Sequence, residues 1–497
     1  MTAAGAGLMA SFLLVAGPNG AVGLDDERGH PVRSIEDAES LLRGCRSAEA
    51  AEAFSAILAA RPADERALAG RIEAWIDSDR WVDALSEVSR LGDRVESSGP
   101  LASAAGATLY RAGRIDEARR VIERHATPTA LSARGLSVLG AVRLAEGRGE
   151  EAIEWMRRAL EADPGDARVV LRAAEATNSR TEAAERLARY LAIAERDDPD
   201  RREGARGTLG WLRVLADRRI WQPVSSRPMR VELALIPVVG ASAEPAGWTV
   251  TARLGASRRK VRLLLDTGSG GLFLVDRVAR RAGFEALGEE TTFGGGGSGR
   301  HRSARGIVPQ VAFGELAFED ALVTTNAEDL DPTGRYQGIL GPGVFEGYRV
   351  TIDPGRRTLT LVQDGERLAA GAPYWVVAGQ ILVRAAARGA PDGLFLLDTG
   401  ATSSVLGLAY VASVPGARMI DRAATQGYGG AIAGARRVEG VELELLGHGT
   451  GRVPLIAADL AARSRLGGVE IAGYLGLDLL RGRVLVIDPA SRLVDLR

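Results

Sequence analysis

The chain has 497 residues, which at ~100–200 residues per domain predicts two to four domains. Hydrophobic residues make up 46% and charged residues 26%, and Lys+Arg (63) nearly balances Asp+Glu (64). The resulting net charge of −1 excludes a strongly basic surface for nucleic acid. The single cysteine, Cys45, excludes an intramolecular disulfide and a Cys-x-x-Cys metal site, and the four histidines never occur at metal-ligand spacing. We therefore expect no metal and no cofactor.

Residues 1–34 form an N-terminal segment with a short apolar run, Gly7–Gly17. The run is too short to span a bilayer but suits the apolar core of a signal peptide. No Lys or Arg precedes it, so the usual positive region is missing and a cytoplasmic location stays open as the alternative. We expect export to the periplasm or cell envelope. No later segment reaches ~18 uninterrupted apolar residues, so we expect no membrane span in the mature chain.

From residue 35 to 217, apolar residues recur at helical spacing, and the pattern repeats every 34 residues. The repeated positions are Ala50, Ala84, Ala118 and Ala152, each followed four positions later by Phe54, Val88, Ile122 and Met156. This period resembles the tetratricopeptide (TPR) repeat. The resemblance implies an α-solenoid of helix pairs whose concave face contacts a substrate or partner protein. A purely structural role, as a spacer or brace, is the alternative, because no residue marks a ligand on that face.

The pattern changes from helical to strand period near residue 230. Residues 218–229, which include two prolines, are predicted to be a linker. The chain is thus predicted to be multidomain, with an α part followed by a β part.

The β part contains two copies of one pattern, residues 230–367 and 368–497. Each copy has an apolar strand that enters Asp-Thr-Gly, so that Asp266 and Asp398 lie 132 positions apart. Further along, Gly-Ile-Leu-Gly at 338–341 matches Gly-Tyr-Leu-Gly at 473–476, at an offset of 135. Two motifs at nearly one offset indicate a duplication.

Each copy resembles a lobe of a retropepsin-like or pepsin-like aspartic protease. The resemblance covers about residues 228–497 and rests on Asp-Thr-Gly, a Gly-rich stretch and an apolar-apolar-Gly element in each copy. It implies two β-barrel lobes in one pseudo-twofold unit, although both are shorter than typical pepsin lobes. We therefore expect a bacterial protein that is a monomer with intramolecular lobe pairing and has a polypeptide as its substrate.

The resemblance implies that Asp266 and Asp398 form the catalytic dyad of an endopeptidase. Two carboxylates about 3 Å apart cannot both ionise, so they share one proton. We expect one carboxyl to titrate above its ordinary pKa of ~4 and the other below it. The residues expected to support the dyad are Thr267, Gly268, Ser269, Thr399 and Gly400. The threonines should hydrogen-bond between the lobes, the glycines should admit the carboxylates, and the Ser269 hydroxyl should bond to one carboxylate.

The Gly-rich stretches begin at Phe293 and Tyr428 and lie between the two other motifs of each copy. They are predicted to be flap hairpins that open for a polypeptide and place these two aromatic rings on it. Ordinary flexible loops are the alternative.

A catalytically silent peptide-binding or adaptor protein that keeps the protease fold is the alternative function. The sequence favours the enzyme, because both aspartates, both threonines and both glycines are present.

Overall fold

The computed structural model describes residues 34–96, 98–125, 130–240, 245–256, 258–293, 300–326, 334–363, 367–423, 426–427, 430–432, 434–449, 451 and 455–497. The chain divides into two compact units. The first comprises Met1–Leu209 with Ser464–Glu470, and the second Gly210–Arg463 with Ile471–Arg497. No helix among the described residues is long and apolar enough to cross a membrane. The apolar run Gly7–Gly17 lies outside the described residues.

The first unit is built from helix pairs. Its helices are α1 (Ile35–Arg43), α2 (Ser47–Ala60), α3 (Glu65–Asp77), α4 (Trp81–Leu91), α5 (Gly99–Arg111), α6 (Ile115–Glu123), α7 (Ala133–Ala145), α8 (Gly149–Ala162), α9 (Ala167–Glu175), α10 (Arg180–Ile193) and the first part of α11 (Pro199–Leu215), with a 3-10 turn at Gly92–Glu96. Helices α3, α5, α7 and α9 begin 34 residues apart, and so do α2, α4, α6 and α8. The period predicted from the alanines is therefore the period at which helices begin.

The turn inside each of the first four helix pairs needs a left-handed residue. Cys45, Asp79, Gly113 and Gly147 are spaced by 34 and have φ values of 61°, 62°, 76° and 76°. Glycine adopts this backbone without strain, whereas cysteine and aspartate adopt it at a cost. Burial raises the pKa of the Cys45 thiol to about 12, which suits a core residue rather than a nucleophile.

Small residues let the helices of a pair approach closely. The repeated alanines of α2, α4, α6 and α8 are all fully buried. A Cβ added to Gly106 would come within 2.3 Å of Ile122 Cγ1, and one added to Gly140 within 2.9 Å of Met156 Cε. The spacing of small and large positions thus follows from the contact between the two helices of a pair.

A buried ion cluster joins distant helix pairs of this unit. The Arg134 guanidinium on α7 donates to Asp166 at 2.6 Å and to Asp77 on α3 at 2.8 Å. It also donates to the carbonyl of Leu42 at the end of α1 at 3.1 Å. Arg168 on α9 pairs with Asp197 at 2.8 Å. These buried and paired guanidinium groups therefore link α1, α3, α7 and α9 to one another.

The first unit also contains a short piece of the C-terminal half. Arg465 Nη1 lies 2.9 Å from Asp79 Oδ2, and Arg111 Nη1 donates to Glu470 Oε2 at 3.1 Å. The backbone N–H of Glu470 donates to the Arg111 carbonyl at 2.7 Å. Ion pairs and a main-chain hydrogen bond therefore assign Ser464–Glu470 to the helical unit.

The second unit is mostly β. Its first half holds β1 (Gln222–Pro223), β2 (Arg230–Ala234), β3 (Ile236–Val239), β4 (Pro245–Leu254), β5 (Arg259–Leu265), β6 (Leu272–Val275), α12 (Asp276–Arg281), β7 (Glu285–Phe293), β8 (Arg300–Phe313), β9 (Leu316–Asn326), β10 (Gly338–Leu340), a 3-10 turn (Pro342–Phe345), β11 (Tyr348–Asp353) and β12 (Thr358–Gln363). Its second half holds β13 (Ala372–Val377), β14 (Gln380–Ala387), β15 (Gly393–Leu397), β16 (Val405–Gly407), α13 (Leu408–Val411), β17 (Arg418–Arg422), β18 (Gln426–Gly427), β19 (Gly430–Ala431), β20 (Arg436–Glu439), β21 (Leu443–Leu445), β22 (His448–Gly449), β23 (Leu455–Ala458), the first part of α14 (Ala461–Gly467), β24 (Gly473–Leu475), β25 (Leu485–Asp488) and β26 (Leu493–Leu496).

Matching strands in the two halves pair in the same way. In the first half, β10 runs parallel to β5 and antiparallel to β6. In the second half, β24 runs parallel to β15 and antiparallel to β16. Each apolar-apolar-Gly element is therefore the central strand beside its Asp-Thr-Gly loop.

One continuous run of strands, β13-β26-β25-β11-β12-β2, joins the two halves. At its centre β11 and β25 pair antiparallel, with Val350 opposite Ile487, Thr351 opposite Val486 and Ile352 opposite Leu485. An offset of 135 converts each of these pairs into another pair of the same set. The duplication seen in the sequence is therefore also the symmetry of this strand pairing.

The predicted linker, residues 218–229, is structured in part. Within it, Gln222 and Pro223 form β1 and pair with Glu319 and Phe318 of β9. The Trp221 ring packs edge-on against Phe318 at 5.4 Å between centroids. An aromatic contact and an edge-strand pairing thus hold part of the predicted linker on the β unit.

Candidate active site

Each candidate catalytic aspartate lies just beyond the end of a buried strand. Asp266 follows β5, and its N–H donates to the Leu340 carbonyl at 3.0 Å. Asp398 follows β15, and its N–H donates to the Leu475 carbonyl at 2.9 Å. The apolar strands β5 and β15 thus fix both loops, and β10 and β24 hold them in place.

The two aspartates lie against each other's loops. A Cβ built on Gly400 would lie 2.6 Å from Asp266 Cγ, and one built on Gly268 would lie 2.9 Å from Asp398 Cγ. Distances under 3 Å leave no room for a side chain at either glycine. Each glycine therefore admits the carboxyl group of the other half, which brings the two carboxyl groups together.

The threonines of the two loops bond reciprocally. The N–H of Thr267 donates to Thr399 Oγ1 at 3.0 Å, and the N–H of Thr399 donates to Thr267 Oγ1 at 3.0 Å. The hydroxyl of Thr267 donates to the Leu397 carbonyl at 2.7 Å, and that of Thr399 to the Leu265 carbonyl at 2.9 Å. Both side chains are buried, so these four hydrogen bonds are shielded from water.

The two carboxyl groups accept different numbers of hydrogen bonds from the backbone. Asp266 Oδ1 accepts from the Gly268 N–H at 2.8 Å. Asp398 Oδ1 accepts from the N–H groups of Gly400 at 2.9 Å and of Ala401 at 3.1 Å. Because such bonds favour the ionised form, Asp398 is the better-stabilised carboxylate.

The pKa values of both carboxyl groups are raised. Burial raises the pKa of Asp266 well above its ordinary value, and the charge of Asp398 raises it further. Burial also raises the pKa of Asp398, although hydrogen bonds from Asp266 and from two backbone N–H groups act against it. The expectation that the second carboxyl titrates below its ordinary value is therefore wrong, because burial outweighs the hydrogen bonds.

Ser269 does not reach a carboxylate. Its hydroxyl donates instead to the Gly271 carbonyl, at a long 3.5 Å. Its N–H closes a turn onto the Asp266 carbonyl at 3.1 Å, so the loop has folded back at this residue. The predicted hydrogen bond from Ser269 to the dyad is thus absent among the described contacts.

The glycine of each apolar-apolar-Gly element touches the neighbouring aspartate loop. A Cβ on Gly341 would lie 2.0 Å from the Ser269 carbonyl oxygen, and one on Gly476 would lie 2.6 Å from the Ser403 carbonyl carbon. A backbone atom cannot move aside as a flexible side chain can. The motif therefore needs glycine for backbone packing at the site.

Residues outside the motifs also hold the loops. Gln380 Nε2 donates to the Gly268 carbonyl, and the Gln380 side chain is buried. In the second half, buried Asp478 accepts from the N–H of Ser404 at 2.9 Å and from its hydroxyl at 2.6 Å. Sequence reasoning missed these residues: Gln380 is a polar residue at the start of an apolar strand, and its partner lies 112 positions away.

The predicted flap residues are only partly described. Phe293 ends β7 and pairs with Arg300 of β8, so the Gly-rich stretch connects two strands of one hairpin. The tip, 294–299, and Tyr428 lie outside the described residues. In the second half β18 and β19 pair on either side of Tyr428, with Gly427 opposite Gly430.

A cavity of about 380 Å³ lies apart from the dyad. Its lining includes Arg349, Arg367 and Arg497 and neither candidate catalytic aspartate. Arginine stays protonated and cannot serve as a general base at ordinary pH. The described residues contain no cluster of His, Cys, Asp and Glu that could hold a metal ion.

Comparisons with known proteins gave a family match over part of the chain and a similar solved structure. A family model described as aspartyl protease matches residues 250–342, which include the first Asp-Thr-Gly loop. The solved aspartic proteinase from Irpex lacteus is similar at 15% identity and a TM-score of 0.36, over 54% of this chain and 96% of that chain. No curated protein matches the sequence. The chain thus contains an aspartic-protease-like region.

Proposed function

We propose that this chain is an aspartic endopeptidase that hydrolyses peptide bonds with a water molecule activated between Asp266 and Asp398. The observation that carries the proposal is the reciprocal arrangement of the two loops, in which each glycine admits the carboxyl group of the opposite half. The aspartyl protease match over residues 250–342 supports the hydrolase class. The symmetric pairing of β11 and β25 supports a pseudo-twofold unit within one chain.

We assign the shared proton to Asp266 and the negative charge to Asp398. Asp398 accepts two backbone hydrogen bonds on Oδ1, whereas Asp266 accepts one. A neutral carboxyl can donate a hydrogen bond, and a carboxylate can accept a proton, so the pair supplies an acid and a base at once.

The reaction then follows from these two roles. Asp398 takes a proton from the water, whose oxygen attacks the scissile carbonyl carbon, while Asp266 donates its proton to the carbonyl oxygen. In the second step the proton on Asp398 passes to the amide nitrogen and the C–N bond breaks. The carbonyl re-forms and returns its proton to Asp266, so the dyad is regenerated. The β7–β8 hairpin is proposed to cover the peptide as a flap, with Phe293 and Tyr428 on the substrate.

The experiment is digestion of a mixed peptide pool by the full chain at several pH values. Asp266→Asn and Asp398→Asn should each lower the rate by about 10²–10⁴-fold or more, since an amide cannot share the proton. Asp392→Asn, at an exposed position of the same half, is the matched control and should keep wild-type activity. The cleavage rate of the wild-type protein, plotted against pH, should be bell-shaped, because activity needs the singly protonated pair of aspartates. Equal cleavage by all four proteins would reject the dyad.

The alternative is a catalytically silent peptide-binding or adaptor protein with the same lobes. It predicts that peptides bind wild-type protein and both Asn variants alike and leave the wild-type protein uncleaved. Mass spectrometry of the recovered peptides distinguishes the two functions.

The helical unit is proposed to be a TPR-like solenoid that contacts substrate or partner proteins, on the support of its 34-residue helix period. A partner on its α1, α3, α7 and α9 side would have to displace the ion pairs of Arg134 and Arg168. Binding on this side should therefore weaken the ion pairs of Arg134 and Arg168, and faster hydrogen exchange of the backbone amides of α7 and α9 would detect this. Unchanged exchange on binding would exclude that side.

We propose that the protein works as a monomer, since both aspartates belong to one chain, and that it is exported. Specific activity should not change on dilution, which sedimentation and rate measurements would test together. N-terminal sequencing of the mature protein tests export, because cleavage after the apolar run would leave a new terminus. A full-length protein in the cytoplasm would reject export.

A further inference from the structure

The loop that carries Asp398 is tied to the segment that follows β24. The N–H of Leu477 donates to the Ala401 carbonyl at 2.9 Å. The N–H of Ala401 in turn donates to Asp398 Oδ1 at 3.1 Å. Ala401 is therefore held on both sides, and the hydrogen bond from Leu477 fixes the residue whose N–H reaches the carboxyl group.

Two side chains, Ser404 and Asp478, fix the residues on either side of Leu477. The N–H of Gly476, which precedes Leu477, donates to Ser404 Oγ at 3.0 Å. The carboxyl group of Asp478, which follows Leu477, accepts from the Ser404 hydroxyl at 2.6 Å and from the Ser404 N–H at 2.9 Å. It also accepts from the Leu479 N–H at 3.0 Å. Because both neighbours of Leu477 are held, the direction of its own N–H is held as well.

The Ser404–Asp478 pair is shielded from water. Ser404 is 0% and Asp478 5% exposed. A carboxyl group at such a place is costly unless its oxygens are hydrogen-bonded, and three donors satisfy this one. Removal of either side chain would leave a buried polar group without a partner, which costs more than the hydrogen bond itself contributes. The pair therefore holds its surroundings firmly.

The first half cannot form the same hydrogen bonds. An offset of 135 places Pro342 and Gly343 where the second half has Leu477 and Asp478, and an offset of 132 places Leu272 where it has the buried serine. Proline has no N–H to donate, and leucine and glycine have no polar side chain. All three groups that hold the Asp398 loop are thus missing from the matching positions.

The two loops differ accordingly at the carboxyl groups. Ser269 corresponds to Ala401, but its N–H donates to the main-chain carbonyl of Asp266 at 3.1 Å. Among the described backbone groups, Asp266 Oδ1 accepts from the Gly268 N–H alone, at 2.8 Å. The additional N–H on a carboxyl group therefore occurs in the half that contains the Ser404–Asp478 pair.

We propose that Ser404 and Asp478 are positioning residues that hold the Ala401 N–H on Asp398 and so keep the negative charge of the proton-sharing pair on this aspartate. The inference rests on the proposed peptidase function and names the groups that set its acid and its base. Both residues act through Leu477 and Ala401 rather than on the substrate.

Loss of the Ser404–Asp478 pair should affect one limb of the pH profile. Without the Ala401 N–H, the ionised form of Asp398 is less stable, so its pKa rises. Asp398 is ionised both before and after Asp266 loses the last proton, so that second step is unaffected. The acid limb should therefore move to higher pH, whereas the alkaline limb should stay in place.

The experiment measures kcat/KM of the full chain against pH with one fluorogenic peptide, chosen from sequences cleaved in the pool, because this ratio reports the pKa values of the free enzyme. Ser404→Ala removes the hydroxyl, and Asp478→Asn replaces one accepting oxygen by an amide. Each should shift the acid limb upward by about 0.5–1 pH unit, as expected for a weakened hydrogen bond to a charged group. Lower activity with both limbs in place would overturn the inference, since general loss of structure lowers the rate at every pH.

The chain offers a matched control for each change. Ser403→Ala alters the neighbouring serine, whose hydroxyl makes no hydrogen bond with a described residue. Asp392→Asn alters an exposed aspartate of the same half. Both controls should keep the wild-type profile, and an acid limb that moved equally in Ser403→Ala would overturn the assignment to Ser404.

Hydrogen exchange of the full chain, followed by mass spectrometry, separates this inference from the proposed function. Ser404→Ala and Asp478→Asn should each speed exchange of the amides in 398–404 by about tenfold, and by more than in 266–272. That pattern supports the positioning of Ala401 even where wild-type protein cleaves no peptide. Unchanged exchange of 398–404, or an equal rise in both loops, overturns it even where wild-type protein is active.

Discussion

The two aspartate loops come from one duplicated sequence, yet they differ in the groups that surround them. Their threonines are equivalent, with the same N–H to hydroxyl distance of 3.0 Å in both directions. Their carboxyl groups are not equivalent, because Asp398 accepts two backbone N–H groups and Asp266 accepts one. Contacts that join the halves have thus stayed symmetric, whereas contacts within each loop have diverged.

This difference explains how a duplicated site can assign two roles. Two identical carboxyl groups would share a proton equally, and neither would be fixed as acid or base. One additional N–H on Asp398 is enough to favour the proton on Asp266.

Substitutions of the two loop glycines should have the largest effects on activity and stability. Gly400→Ala directs a methyl group to within 2.6 Å of Asp266 Cγ, and Gly268→Ala to within 2.9 Å of Asp398 Cγ. We expect both changes to abolish most activity and to lower the free energy of unfolding by ~1–3 kcal/mol, with Gly400→Ala the more severe. Peptide cleavage and urea unfolding measure the two effects.

Gly271→Ala is the matched control, because a Cβ at this glycine meets nothing within 4 Å. It should leave activity and unfolding near wild type. Wild-type activity in Gly400→Ala would show that the carboxyl groups are not packed against the opposite loops.

Substitutions of the two threonines should lower the free energy of unfolding equally in the two loops. Thr267→Val and Thr399→Val each remove a hydroxyl that donates one buried hydrogen bond and accepts another. Each should lower the free energy of unfolding by ~1–3 kcal/mol, and by similar amounts. Thr267→Ser and Thr399→Ser keep the hydroxyl and should recover most of the loss. Unequal losses in urea unfolding would mean that the pairing is not reciprocal.

The raised pKa values predict how stability changes with pH. Between the unfolded pKa of ~3.9 and the higher pKa of the folded dyad, the folded state binds more protons than the unfolded state. The contribution of the dyad to the free energy of unfolding is therefore fully present at low pH and is lost as pH rises through this window. Asp266→Asn removes a buried carboxyl group whose pKa is raised by burial and by the charge of Asp398, so the stability of this variant relative to wild type should increase with pH. The difference in the free energy of unfolding between Asp266→Asn and wild type, measured by urea unfolding, should therefore change from pH 4 upward, and a constant difference would contradict the raised pKa. Asp392→Asn serves as the control.

The repeated motifs made much of this architecture predictable. The 34-residue period predicts the helix starts because successive helix pairs repeat one contact between a small and a large residue, Gly106 with Ile122 and then Gly140 with Met156. Asp266 and Asp398 could be identified because two copies of Asp-Thr-Gly follow apolar strands. Local patterns of this kind survive in a single sequence.

Contacts between distant segments were not predictable. Gln380 holds the Gly268 carbonyl from 112 positions away, and no local pattern identifies such a partner. The direction of the Ser269 hydroxyl depends on the turn that its own N–H makes, which residue type alone does not determine. Residue identity thus predicted which groups were available but not where they point.

The smallest effect should come from Ser269, the residue whose identity differs most visibly between the loops. If its hydroxyl bonded to a carboxylate, Ser269→Ala would shift the acid limb of the activity profile to higher pH. The structure directs that hydroxyl to the Gly271 carbonyl at 3.5 Å, a distance at which a hydrogen bond contributes little. We therefore expect Ser269→Ala to keep kcat/KM within about twofold of wild type and to leave the acid limb in place. A clear shift of that limb, measured on one peptide across the acid range, would return Ser269 to the dyad and make the serine, rather than the backbone N–H groups on Asp398, the source of the asymmetry.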